Sequence, residues 1–253
     1  MTRKTIMAVS VLAVLLSAGF TVSAQDFDYD WCIIPVTSEY DEPAGTPVSA
    51  IVSKARKGME YLNEVVAVSA KEMTAVRPES DLSNLTADII AEMAGRITGS
   101  TVDCALYNMG GIRITLPEGD ITLSDIVSCY PFKNTLVIAR MSGESLLRFF
   151  ADFAAMKQPE AVSGINITVS QDGKLQSVLV QGKEIDPGQS YNMASISFLV
   201  SGGDGFFLEK YADEIIDTGV QVKDAVLDYC RQAYKDGRIL DADVEGRYVI
   251  EDK

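Results

Sequence analysis

The sequence predicts an α+β fold, and three observations carry that prediction. Segments with helical periodicity are interspersed with hairpin signals and never settle into a repeating β-α-β order. Two extended apolar stretches, residues 102–107 and the run beginning at Tyr191, each end in a glycine break; the first segment closes on Phe132 after a proline, and the second has Phe206 just beyond its glycines. At 253 residues the chain is long enough to bury one substantial core.

Taken in order, residues 1–24 carry Arg3 and Lys4, an apolar run from Ile6 to Leu16, and the small residues Ser23 and Ala24. That pattern predicts a secretory signal cleaved after Ala24, and hence export to the periplasm or beyond, with no membrane span after its removal. No cysteine follows the cleavage position, so no lipid anchor is expected. Residues 25–63 form a lead-in: an irregular acidic stretch with an edge strand near Cys32 to Val36, then a helix over 48–63 with Ile51, Ala55, Met59 and Leu62 at helical spacing. The main domain is expected over 64–253.

Within it, residues 64–70 alternate as a strand and 73–80 form a loop. Leu85, Ile89, Met93 and Ile97, spaced by four, predict a helix capped by Asp81 or Ser83 and stopped at Gly99. A turn over 117–120 leads to a short helix begun by Thr122 or Ser124 and ended before Pro131. The β-branched run 135–141 reads as a buried strand, and Ser142 or Gly143 opens a helix to Ala155 whose Leu146, Leu147, Phe149, Phe150 and Phe153 face the core. Gln171-Asp172-Gly173 links a hairpin of 165–170 with 175–181, Asp186-Pro187-Gly188 makes the next turn, and a helix over 222–234 precedes a terminal strand at 248–250.

Composition removes whole classes of function. The chain has 22 basic and 36 acidic residues, a net charge of −14, and so repels polyanions such as nucleic acid. A small phosphate ester is compatible only where a few arginines outweigh that field locally. There is no histidine. Its absence rules out Ser-His-Asp and Cys-His triads and His-rich zinc sites together. Four cysteines without a C-x-x-C spacing predict buried free thiols in place of a zinc knuckle or a redox pair.

What remains is the stretch 107–132. Gly110 and Gly111 admit backbone angles closed to other residues and allow a ligand close to the main chain, so Asn108 and Arg113 can converge on one point. That suits a small anion or a sugar. The full set of motifs is Asn108-x-Gly-Gly-Ile-Arg113, Pro131-Phe132-x-Asn134, Ser142-Gly143-x-x-Leu146, and Phe198-Leu199 followed by Gly-Gly-Asp-Gly-Phe at 202–206. In this order and at this separation, over about 65–247, it resembles the C-terminal domain of the 5′-nucleotidases, the family that includes UDP-sugar hydrolase and 2′,3′-cyclic phosphodiesterases.

The resemblance implies mixed sheets inside and helices outside. It also implies a nucleoside or nucleotide ligand. Phe132 and Phe206 would clamp the base, with Asn134 beside them. Arg113, Arg77 and Asn108 would address ribose and phosphate, the backbone at Gly111 and Gly164 would lie close to the ligand, and Asp213 would accept from the ribose hydroxyls. Asp204 reads as a turn former. Full-length relatives carry an N-terminal metallophosphatase with D-x-H and G-N-H-E motifs that this sequence lacks. The implied function is therefore the nucleotide-recognition subunit of an exported two-chain 5′-nucleotidase. This chain would bind no cofactor and hold no catalytic residue, and divalent metal ions would sit in a separate metallophosphatase chain. A non-catalytic periplasmic nucleoside- or nucleotide-binding protein is the alternative.

Overall fold

The computed structural model describes residue 32 and residues 45–251. The signal segment, and the expected edge strand apart from the exposed Cys32, lie outside the described residues. The chain divides into two compact units, Met1–Val52 and Ser53–Lys253. Helix α1 (Pro47–Arg56) runs across that boundary and buries none of its residues. It does not continue to residue 63 as the periodicity predicts. Gly58 and Met59 close i→i+3 bonds onto Ala55 and Arg56, and the chain resumes as a 3₁₀ turn, Glu60–Asn63. Glycine is among the poorest helix formers, and here it ends the helix.

The second unit begins with β1 (Val65–Ser69) and α2 (Asp81–Thr98). Ser80 is the N-cap of α2, one residue before the expected Asp81, with its N–H donating to Ser83 Oγ at 2.9 Å. Gly99 closes the helix at φ 69°. Then follow β2 (Cys104–Tyr107), β3 (Gly119–Thr122), α3 (Leu123–Cys129), β4 (Thr135–Ser142) and α4 (Gly143–Ala155). Thr122 caps α3, its Oγ1 accepting from the Asp125 N–H, while the Asp125 carboxylate accepts from the Thr122 N–H. The remaining elements are β5 (Ala161–Ser163), β6 (Ile165–Ser170), β7 (Leu175–Val180), β8 (Lys183–Glu184), β9 (Ser190–Ile196), α5 (Ser197–Val200), β10 (Glu214–Gln221), α6 (Val222–Lys235) and β11 (Tyr248–Glu251).

Among the described residues three sheets result: β1-β3, a five-stranded sheet ordered β10-β4-β9-β2-β5, and a four-stranded sheet ordered β11-β6-β7-β8. The pairs β2·β9 and β11·β6 are parallel and the others antiparallel, so the sheets are mixed and the α+β reading holds. Helix α2 packs on β2, β5 and β9 and against α6, while α4 contacts β4 and β9 of one sheet and β7 of another. A single hydrophobic cluster runs through all of them. Phe149, Phe150 and Phe153 of α4 are buried in it, as expected, although Leu147 is only half-buried. Strands β3, β5 and β10 carry no periodic signal. The first two are four and three residues long, and β10 is an edge strand with no buried residue.

The glycine that opens α4 is fixed by packing. A Cβ on Gly143 would lie 2.0 Å from the carbonyl oxygen of Asp186 and 3.0 Å from the Pro187 backbone, so the turn before β9 rests directly on the first residue of the helix. Gly143→Ala is expected to destabilise the fold by about 1–3 kcal/mol or more, the cost of overpacking, despite alanine's better helix propensity. Thermal unfolding of the two proteins checks this.

Cys104, Cys129 and Cys230 are buried and free, as expected of a core large enough without disulfides, whereas Cys32 is exposed and departs from that expectation. Burial pushes all three thiols up, Cys230 to about 12, and also raises the Tyr107 and Tyr130 hydroxyls. These groups keep their protons in the folded chain at pH values where the unfolded chain releases them. Stability is therefore fully present below about pH 9, near the unperturbed thiol value, and falls as pH rises through the alkaline range. Urea unfolding from about pH 7 to about pH 10.5, the span over which free thiols and phenols titrate, measures it. In the native protein at about pH 8, a thiol reagent is expected to titrate Cys32 and leave the three buried thiols unmodified until denaturant is added.

Candidate functional site

Strand order decides where the candidate residues meet. Strands β2 and β9 are parallel neighbours, with Cys104 opposite Met193 and Ala105 opposite Ala194, so the segments that leave them emerge at the same edge of the sheet. Strand β4 runs antiparallel to β9, with Leu136 opposite Ile196, which brings its start to that edge as well. The segment after β2 supplies Asn108, Gly110 and Arg113. The lead into β4 supplies Phe132 and Asn134, and the segment after β9 supplies Phe198 and Asp204. Together these seven residues line one half-open cavity of about 310 Å³.

The segment after β2 is a tight 3₁₀ turn, Met109–Gly111, in which the Gly111 N–H donates to the Asn108 carbonyl at 2.9 Å. A Cβ on Gly111 would lie 2.5 Å from the hydroxyl of buried Tyr107, so only glycine allows the turn to fold back over that ring. Asn108 is buried, and its Nδ2 donates to Asp204 Oδ2 at 2.8 Å across 96 residues of sequence. A carboxylate can only accept, which fixes the orientation of the amide. The Asn108 Oδ1 is then buried with no hydrogen-bond partner. Arg113 is exposed, donates from Nη1 to the Gly110 carbonyl at 3.2 Å, and places its guanidinium carbon 5.9 Å from the centre of the Phe132 ring, at the outer range of a cation–π contact. Phe132 and Phe198 are 46% and 41% exposed.

This arrangement offers two partly exposed rings, one guanidinium, and an acceptor in the Asp204 carboxylate. It is suited to a ligand with a flat apolar part, hydroxyl or amino donors, and an anionic group. Among the described residues no group of three or more His, Cys, Asp or Glu side chains converges to hold a metal ion, and the sequence has no histidine. The described donors of this chain therefore do not compose a metal site.

The structure brings together Asn108, Arg113, Phe132 and Asn134 from the expected set, with Gly111 in the turn beneath them. Arg77 stands to one side of the turn, its Nη2 paired to Glu160 Oε1 at 2.6 Å and its Nε donating to the Pro159 carbonyl. Three expected residues lie elsewhere. Phe206 is a core residue, 2% exposed and packed on Phe149 and Phe153 with ring centres 6.1 and 5.6 Å away. Gly164 sits beside Asp103 and Cys104 at the start of β2, roughly 13 Å along the strand from Asn108. Asp213 donates its N–H to the Arg140 carbonyl near the far end of β4, about 20 Å from Asn134 by strand rise.

The residues missed by the sequence reading are Phe198 and Asp204. Phe198 is adjacent to Leu199 in a single helical turn, and only one of the two can face the core; Leu199 is fully buried and Phe198 projects outward. Asp204 does form the turn, at φ 51°, a region that aspartate tolerates better than most residues, and its carboxylate also enters the cavity. The contrast in one turn between a branched aliphatic and an aromatic residue was the available signal.

The profile of the 5′-nucleotidase C-terminal domain family matches residues 64–210. Over 117 residues the chain is 34% identical to protein UshA of Yersinia enterocolitica, covering 45% of this chain and 21% of that protein. It shares 28% identity over 180 residues with a 5′-nucleotidase of Vibrio cholerae, covering 68% of this chain and 32% of that one. Among solved structures it is similar to a 5′-nucleotidase precursor from Thermus thermophilus, with a TM-score of 0.69 and 26% identity over 81% of this chain and 43% of that chain. The chain thus spans less than half the length of each of these proteins. With the profile covering more than half of its residues, the chain belongs to the 5′-nucleotidase C-terminal domain family.

Proposed function

We propose that this domain is the nucleotide-recognition part of an exported 5′-nucleotidase, a phosphoester hydrolase of nucleotide breakdown whose metal chemistry is supplied by a separate metallophosphatase chain. The observation that carries the proposal is one cavity in which two exposed rings, a guanidinium and a carboxylate acceptor meet. A nucleotide presents a complementary set of groups. Its base would stack on Phe132 and Phe198, each stacked face contributing on the order of 1–3 kcal/mol. Its ribose hydroxyls would donate to the Asp204 carboxylate. Its phosphate would face Arg113, whose fixed N–H donors suit an anion. Asn134 would meet the edge of the base. The metals of the partner would activate water for attack on phosphorus. The work of this chain is to bind, orient and present the ester.

In this reading Phe198→Ala weakens AMP binding by about 1–3 kcal/mol with little change in stability, because the ring is a platform and not part of the core. Phe206→Ala does the reverse, lowering stability by about 3–5 kcal/mol as a buried phenylalanine is removed. Calorimetric titration with AMP and thermal melts of both variants separate the two effects. Equal loss of stability in both would remove Phe198 from the site.

Alone, the purified chain is expected to hydrolyse neither AMP nor UDP-glucose in the presence of manganese, zinc or cobalt. Mixed with a metallophosphatase from the same genome it should raise the nucleotidase rate, and Arg113→Ala should reduce that gain. AMP binding without any gain in rate would favour the plain nucleotide-binding protein.

A further inference from the structure

Glu160, which no sequence motif marked, is a carboxylate with its side chain 0% exposed. Burying an ionised carboxylate is expensive unless each oxygen is hydrogen-bonded and the charge is paired. Glu160 satisfies both conditions, one of its partners being Met109, which lies between the cavity-lining residues Asn108 and Gly110. Its Oε2 accepts from the backbone N–H of Met109, the buried residue that follows Asn108. Its Oε1 accepts from Arg77 Nη2 at 2.6 Å and from Gln158 Nε2 at 2.7 Å. The register of the sheet sets this geometry. Ala161 of β5 is opposite Tyr107 of β2, so the residue before β5 falls beside the turn that follows β2. Arg77 is held twice over, through Glu160 and through the Pro159 carbonyl. Two of its five N–H groups are engaged there, and three remain for other acceptors.

We propose that Glu160 is a positioning residue for the cavity: one buried carboxylate locks the Asn108–Gly111 turn and the Arg77 guanidinium into a single arrangement, without itself facing the ligand. The affinity part of this inference rests on the nucleotide reading above; the locking of the turn does not. Without Glu160, the Met109 N–H is a buried donor with no acceptor, and the turn that aims Asn108 toward Asp204 loses its outer restraint. Arg77 loses one of its two tethers at the same time.

Glu160→Gln discriminates because it preserves shape and packing. A carboxamide has one oxygen and one NH₂, whereas Glu160 meets donors on both sides. The carboxamide oxygen is expected to stay with the two side-chain donors, Arg77 Nη2 and Gln158 Nε2, one of them charged, which turns the NH₂ against the Met109 N–H. The experiment uses the whole chain, with amide hydrogen exchange at Met109 read by NMR and AMP affinity read by calorimetry. In the wild type, the Met109 amide is expected to be protected to a degree comparable with β4 amides. In Glu160→Gln its exchange should accelerate at least tenfold while β4 amides keep theirs, and AMP affinity should fall at least tenfold. Adding Arg77→Met leaves the carboxamide oxygen free to turn to Met109, so protection there should return in part, a rescue that general loss of stability would not produce. Unchanged Met109 exchange in Glu160→Gln overturns the proposal, as does AMP affinity within twofold of wild type when the wild type binds. If the wild type binds no AMP but Met109 exchange responds as described, the nucleotide reading fails and the lock on the turn stands.

Discussion

The parallel pairing of β2 and β9 is the constraint on which the site depends. These strands lie almost ninety residues apart in sequence, with Cys104 opposite Met193. Were they antiparallel, the two glycine-rich segments would leave opposite edges of the sheet and could not face one another. Parallel pairing sends both out together, and the antiparallel partner β4 returns the Phe132–Asn134 segment to the same place. Open sheets commonly bind ligands beyond the carboxyl ends of parallel strands, because loops converge there while the sheet behind stays rigid. The hydrogen bond between Asn108 and Asp204 closes this arrangement at 2.8 Å, joining the two loops directly.

The second loop divides its labour between neighbours. Leu199, Phe206 and Leu208 are buried, while Phe198 and Asp204 project into the cavity. The buried residues root the loop in the aromatic cluster of α4, where Phe206 touches Phe149 and Phe153. A ring that stacks on a ligand must be held from behind, since ordering it only on binding would subtract from affinity. Phe206 therefore matters to the site as an anchor, although it does not reach the cavity.

Much of this was legible in the sequence, for identifiable reasons. Helices α2, α4 and α6 each bury a stripe that a period near 3.6 reveals, and β4 is buried enough to read as a continuous β-branched run. Asn108 and Arg113, read from the glycine turn, and Phe132 and Asn134, carried over from the resemblance, line one cavity because the segments that hold them reach the same edge of the sheet. What failed was the choice between nearby residues of the same kind. Phe198, Phe206 and Phe207 flank a single glycine loop, and which of them is exposed depends on how the turn after β9 rotates. That rotation is set by Leu199 seeking the core, a tertiary effect with no periodic signature. Asp213 and Gly164, carried over from the resemblance, lie away from that cavity, since a motif match does not say which end of a strand a residue occupies. Glu160 was invisible because a buried carboxylate is recognised by its partners, and those come from residues 77, 109 and 158.

On the nucleotide reading proposed above, charge shows how an acidic protein can present a site for an anionic ligand. The net charge of −14 repels phosphate at long range, but screening limits that repulsion to about 8–10 Å at moderate salt, and within the cavity the fixed donors dominate. Of the two arginines near the turn, Arg113 is held loosely at its own loop and Arg77 firmly by a buried carboxylate. The free protein also leaves Asn108 Oδ1 buried and unpaired, which costs about 1–3 kcal/mol of stability. The other end of the same amide offsets that cost by tying the two loops together through the Asp204 carboxylate.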